Sequence, residues 1–288
     1  MKTQESVALK TKKKRMKPMR FIQKYGRLLL GGTIISVILL CSIFAPLLAT
    51  HDPYIQDISI AKQLPSAEHI MGTDVFGRDI WSRLVIGSQN TLMVSFITQA
   101  VVMSVGTVIG LFCGYFPKVE KYVMRFLDAY STIPGLLLNL MVLAAFGSSV
   151  FTLVLAMSLN GIPGVSRAMR NQVLFVRNQE YIESAKAMGA SDIRTMFVHV
   201  LPNISNYLWI RIGGSLGGTI GSMTGLSYLG LGLDPTIPSW GAMVQDGQTL
   251  MFAYPHLSFF TIGVISLTIF GFVMMGDGLR DLLDPKLN

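Results

Sequence analysis

Long apolar runs, separated by short clusters of charge and turn-forming residues, organise this chain from one end to the other. A membrane-crossing helix needs about 20 apolar residues, because each rises about 1.5 Å through roughly 30 Å of hydrocarbon. Residues 28–48 meet that requirement without a charge. The uncharged run between Arg83 and Lys118 predicts a second span at about 90–115, closed by Phe116 and Pro117. The run between Asp128 and Arg167 is too long for one span, and Gly147, Ser148 and Ser149 divide it into helices at about 122–145 and 150–169. A fifth span lies between Arg211 and Asp234. It is rich in glycine (Gly213, Gly214, Gly217, Gly218, Gly221, Gly225), which suits close helix packing in lipid. A sixth is expected at about 257–276, between Asp246 and Asp277.

The pattern therefore predicts an all-α integral membrane protein of six transmembrane helices. Its expected organisation is an N-terminal segment at 1–27, a first helix at 28–48 and a loop at 49–87. A five-helix core at 88–277 follows, containing a loop at 170–204, and a terminal segment at 278–288 ends the chain. A cleaved signal peptide is the competing reading of the first run. That run exceeds the roughly 7–15 apolar residues of a signal sequence.

Composition agrees with spans in lipid. Of 288 residues 51% are hydrophobic and 14% charged, and the mean hydropathy is +0.50, whereas soluble domains carry about 25% charged residues. A water-soluble enzyme is thereby excluded. The net charge of +8 does not point to nucleic acid, since ten of the 24 Lys and Arg precede residue 28 and only Glu5 joins them. That cluster reads as a cytoplasmic anchor beside anionic membrane lipid.

Charge also orients the spans. The first, third and fifth connections are poor in base, whereas Lys118 and Lys121 occupy the second, and Arg167, Arg170, Arg177, Lys186 and Arg194 the fourth. Both termini are expected in the cytosol and the 49–87 loop outside.

Residues for chemistry are sparse, and no catalytic group is expected. No nucleophile elbow, helical zinc-protease motif or phosphate-cradling Gly-rich loop occurs, so the chain itself should neither bind nor hydrolyse ATP. An intramembrane enzyme would need a paired nucleophile and base inside the spans. A secondary transporter or channel would need membrane-embedded charges beyond Asp128 and Arg211, or broken helices in matching halves. His51, His69 and His256 are far apart in sequence, so no metal site is expected, nor a disulfide between Cys41 and Cys113. Arg125 and Asp128 are spaced for a local ion pair. Asn139 and Asn160 sit near the bilayer middle as helix glue or pore lining.

The richest segment is cytoplasmic. Glu180 to Ala187 favours a short helix, Gly189 can end it in a left-handed conformation, and Ser191 can cap a second helix with Asp192 in its first turn. Small residues at Ser184, Ala185 and Ala187 leave a flat face, and Glu183 offers a charge to a basic partner. An amphipathic helix resting on the bilayer has the same pattern.

Glu183, Ser184 and Ala185, then Gly189 and Pro202, resemble the EAA loop of ABC-importer permeases, with Ser184 where that family usually has Ala. His69, Gly72, Thr73, Asp74, Gly77, Arg78 and Asp79 are similar to the loop after the first span in DppC/OppC-type permeases of peptide and nickel importers. Arg125, Asp128 and Pro134, the 226–232 run, Pro238 to Gly241, and the 276–285 end with Asp284 and Pro285 resemble the same branch. Relatives often carry Glu at the position of Met223, where a lost carboxylate alters either packing or the pore.

The resemblance implies a type I importer permease of the bacterial cytoplasmic membrane, docked through Glu183, Ser184, Ala185, Gly189 and Pro202 on two ABC ATPase subunits that bind ATP and Mg²⁺. It further implies a second, DppB/OppB-like permease and an extracellular binding protein. The cargo would be a di- or oligopeptide, or alternatively nickel or a metallophore.

Overall fold

The computed structural model describes residues 18–283, with side chains from residue 25. Most of the basic segment at 1–27, together with Asp284 and Pro285, lies outside that range. The first helix, α1 (Pro18–Ile43), breaks at Phe44 and resumes for one turn as α2 (Ala45–Leu48). A loop containing a single 3₁₀ turn at Ile58–Ile60 leads to α3 (Ile80–Tyr115). This helix begins ten residues earlier than expected because Asp79 caps it, its carboxylate accepting the Ser82 backbone N–H at 2.8 Å.

The expected third span, 122–145, is not one helix. It consists of α4 (Pro117–Tyr130) and α5 (Gly135–Phe146), bent by 84°. Pro134 removes the donor a continuous helix would need there. The Ser131 hydroxyl donates to the Leu127 carbonyl, and the Thr132 hydroxyl to that of Ala129, so the freed ends are satisfied locally. The local ion pair expected between Arg125 and Asp128 does not form either. Asp128 instead accepts from Arg167 at 2.8 Å, and Glu120 pairs with Arg170, which fastens α4 to α6 (Val150–Arg177). Both pairings join residues far apart in the chain.

Next come α7 (Glu180–Ala187) and the single turn α8 (Asp192–Arg194), which runs through a wider π-type turn at Thr195–Val200 into α9 (Leu201–Tyr228). A short helix, α10 (Trp240–Gly247), and then α11 (His256–Leu283) complete the order. Four helices, α1, α3, α6 and α11, are long and apolar enough to cross a membrane, and the bent α4–α5 pair makes a fifth candidate. The sixth span is α9, whose 28 residues reach about 42 Å and whose Gly, Ser and Asn residues dilute its hydropathy.

Lipid offers little hydrophobic drive between helices, so close backbone approach has to hold them. The principal seam is α3 against α6. A Cβ placed on Gly106, Gly110 or Gly114 would lie 2.7, 2.5 or 2.6 Å from the Cβ of Val165, Met169 or Val173, respectively. Two helices thus mesh along matching four-residue repeats. On the other side, α11 is sandwiched between α1 and α9, where a Cβ on Gly276 would meet the Gly214 backbone at 2.5 Å. The glycines expected to pack α9 divide by face: Gly213 and Gly217 abut α11, whereas Gly214, Gly218 and Gly225 have open space where a Cβ would point.

The seam makes a stability prediction. Replacing Gly110 by Val should cost about 1–3 kcal/mol through overpacking and lower the thermal midpoint of the detergent-solubilised chain. Replacing Gly263, which has nothing within 4 Å, by Ala should leave the midpoint unchanged. Equal midpoints for both variants would show that the seam does not limit stability.

Candidate functional site

Three places gather the residues singled out by sequence, and the first is a cap formed by the 49–79 loop. Gly72 and Gly77 have φ of +80° and +74°, and a Cβ on Gly77 would collide with the Asp57 carbonyl, so glycine is required at that turn. Within the fold so formed, Asp74 accepts from the backbones of Phe76 and Arg78 and from Arg78 Nε at 2.6 Å. Arg78 then reaches Asp246 on α10 at 2.7 Å, with its side chain only 4% exposed. The Thr73 hydroxyl donates to the Ile60 carbonyl, and His69 Nδ1 lies 2.9 Å from Asp79. Burial raises the Asp246 pKa above its usual 3.8, while Arg78 and Arg83 pull it back down. The whole motif thereby locks the 49–79 loop to the start of α3 and to α10.

His51 also belongs to this cap. Its ring lies 4.6 Å from that of His69, and one ligand atom each from His51, His69 and Asp79 falls within 4.8 Å of the others, close enough for a metal ion. Sequence spacing had offered no companion for either histidine, and the loop supplies one by folding back over 18 residues. In this structure His51 Nδ1 bonds the Thr50 hydroxyl and His69 bonds Asp79.

The second place is the elbow at 180–204. Gly189 has φ +86°, its N–H donates to the Lys186 carbonyl, and the Ala190 N–H donates to that of Ala185. This pair of bonds closes α7 in a Schellman turn. Ser191 caps α8, accepting from the Arg194 N–H. Pro202 cannot donate to the Val198 carbonyl, and the wider turn at Thr195–Val200 precedes it.

The elbow is anchored from within by Ile182, Met196 and Val200, which pack with Leu111, Tyr115, Val173 and Val176 at the ends of α3 and α6. The Tyr115 hydroxyl donates to Asp192 at 2.7 Å, and Arg177 donates to the Gly114 and Tyr115 carbonyls. Glu183, Ser184, Gly189 and Pro202 face outward, while Ala185 is buried. Met188, 82% exposed, borders an open groove of about 480 Å³ whose walls include Arg194 and His199.

The third place is a polar cavity of about 270 Å³ between α3, α5, α6 and α9. Asn139 and Asn160 both line it, and Asn139 Oδ1 is buried without a partner. Met223 does not: it is 1% exposed and packed with Val94, Leu143 and Leu153, with the Ser95 hydroxyl 3.8 Å from its sulfur. A pore-lining Met223 is therefore corrected to a packing one, in keeping with its flexible, gap-filling side chain. The α9 wall, built from Arg211, Ser215, Gly218, Thr219 and Ser222, was missed. Those polar and small residues recur at helical spacing, a signal the span's overall apolarity obscured.

The cap yields a prediction. Arg78→Leu should destabilise the 49–79 loop by about 3–5 kcal/mol, since buried Asp74 and half-buried Asp246 lose their shared partner. Asp246→Asn should cost less, because Asp74 still pairs with Arg78. A carboxyl with a raised folded-state pKa favours folding as pH falls through that raised value toward 3.8. Compared with Asp246→Asn, the wild-type chain should gain stability over that acid window, measurable by thermal unfolding at stepped pH. A pH-independent difference would remove Asp246 from the account.

Residues 106–288 match the family described as binding-protein-dependent transport system inner membrane component, and residues 27–65 the N-terminal TM domain of oligopeptide transport permease C. Among similar curated proteins, the glutathione transport system permease protein GsiD of Pectobacterium atrosepticum is 38% identical, covering 77% of this chain and 74% of its own. The oligopeptide transport system permease protein OppC of Bacillus subtilis is 34% identical over 90% of this chain and 85% of its own. The dipeptide transport system permease protein DppC of Alkalihalophilus pseudofirmus is 35% identical over 92% and 88%.

Proposed function

Because the chain belongs to the family of binding-protein-dependent transport system inner membrane components, in its oligopeptide- and dipeptide-type permease branch, we propose that it forms half of the translocation path of a peptide importer. It answers to that importer's ATPases through the elbow at 180–204. The polar cavity carries this reading. In lipid, uncompensated amides and hydroxyls are costly unless they face water, cargo or one another, and here they gather on one concave wall. Relatives named for oligopeptide, dipeptide and glutathione transport support a short-peptide cargo.

The working cycle follows from the connections. ATP and Mg²⁺ bind on two partner ATPase subunits, whose closure pushes the exposed face of Glu183, Ser184 and Gly189. Ile182 and Met196 pass that displacement to the inner ends of α3 and α6, which rock as a meshed pair. On the outside, the immobile cap receives the substrate-binding protein. One concave wall cannot enclose a peptide, so a second, related permease supplies the other. The termini lie in the cytosol, and this chain contributes no catalytic group.

Three measurements test the proposal. In a background lacking Cys41 and Cys113, Ala67→Cys should react with an impermeant thiol reagent in intact cells and Met188→Cys should not; the reverse would invert the topology. Gly189→Val places a β-branched residue at positive φ, at a cost of roughly 1–2 kcal/mol. It should lower co-purification of the ATPases and uncouple transport while membrane insertion persists, whereas Gly189→Asn should retain coupling. Uptake of dipeptides into proteoliposomes should require ATP, the binding protein and the second permease together. Uptake without the second permease would refute the two-chain path.

A further inference from the structure

Arg211 is the charged residue among those lining the cavity, and it stands there without an acid. The side chain is half-buried: Nη2 donates to the Gly164 carbonyl at 3.5 Å on its exposed side, and Nε is buried with no partner. It lies ten residues into α9, about 15 Å along the helix. A guanidinium held at that depth is costly unless an anion or water completes it.

The surroundings are arranged to leave it available. Gln99, which could have turned an oxygen toward it, is committed: its Nε2 donates to Ser215 Oγ at 2.7 Å and its Oε1 accepts from the Thr219 hydroxyl at 3.0 Å. Asn139, only 5% exposed, lines the same cavity with Oδ1 unpartnered. Thr98 Oγ1 is likewise buried and unpartnered. The cavity thus presents a planar cation whose exposed Nη groups are suited to bidentate capture of a carboxylate, with the buried, unpartnered amide oxygen of Asn139 in the same wall. The two requirements are met by one ligand class, a peptide.

We infer that Arg211 binds the α-carboxylate of the peptide inside the translocation path, with Asn139 Oδ1 receiving one of its N–H groups. This rests on the importer reading above and adds to it a site that selects for a free C-terminus. The bound anion neutralises the guanidinium during passage, so carboxylate-bearing cargo crosses this constriction at lower cost than its neutral counterpart.

The test uses the complete importer in proteoliposomes, with each peptide saturating the binding protein. Uptake is measured for a tripeptide and for the same tripeptide with a C-terminal amide, and each variant is divided by wild type so that the binding protein's own preference cancels. Arg211→Gln should reduce free-acid uptake about tenfold or more, the scale of a lost charge-assisted hydrogen bond, and amide uptake less than about twofold on the same argument. Arg211→Lys, keeping the charge without the fork, should recover part of the free-acid uptake and none of the difference for the amide. Asn139→Leu should slow both peptides alike.

Equal loss for acid and amide in Arg211→Gln would overturn the inference and assign the guanidinium to a lipid phosphate or to an acid of the second permease. Unchanged uptake of both would overturn it as well. Failure of the wild-type complex to move either peptide would instead bring down the importer reading, and the inference with it.

Discussion

Close backbone contact between α3 and α6 is the constraint on which the rest of this structure depends. With lipid on the outside, neither helix gains by hiding apolar surface from water, so van der Waals contact at short range must hold the pair. Gly106, Gly110 and Gly114 make that approach possible by having no side chain where Val165, Met169 and Val173 project. A seam that meshes at three successive turns resists sliding, because any shift drives a Cβ into a backbone. The pair therefore moves as one body.

The same seam joins the two places where work is done. Val102 and Val165 belong both to the packed cluster and to the cavity wall, and Val173, Leu111 and Tyr115 share that cluster with Ile182 and Met196 of the elbow. The elbow packs on the ends of two helices whose middles border the cavity. Hydrogen bonds from Arg177 and Tyr115 tighten that packing. One packed cluster therefore reaches from the elbow to the cavity wall.

Sequence made the local devices legible and left the long-range ones hidden. The turn at Gly189, the cap at Ser191 and the break at Gly147 were readable because each is set by chemistry within four residues. Pro134 was noticed, yet the bend at 131–134 was not, because an apolar run reads the same whether straight or folded by 84°. Asp128 was assigned to Arg125, three residues away, and found Arg167 on another helix. Met223 was read on two footings, and only its neighbours Leu143 and Leu153 decide for packing. The His51–His69 approach and the Arg211 wall depend on loops and helices meeting across the fold, which residue spacing does not encode.

The distribution of charge completes the physical picture. In the cap, charges are shared between partners: Arg78 holds Asp74 and Asp246 at once, and Asp79 serves both His69 and the start of α3. Such a network is costly to open, because freeing one partner strands another in low dielectric. At the elbow the polar groups are exposed, Glu183 and Arg194 among them, as is Met188. Exposed groups rearrange at little cost. The chain is thus stiff where the first loop meets α3 and α10 and adaptable at the elbow, with the α3–α6 seam and the cavity it borders lying between the two.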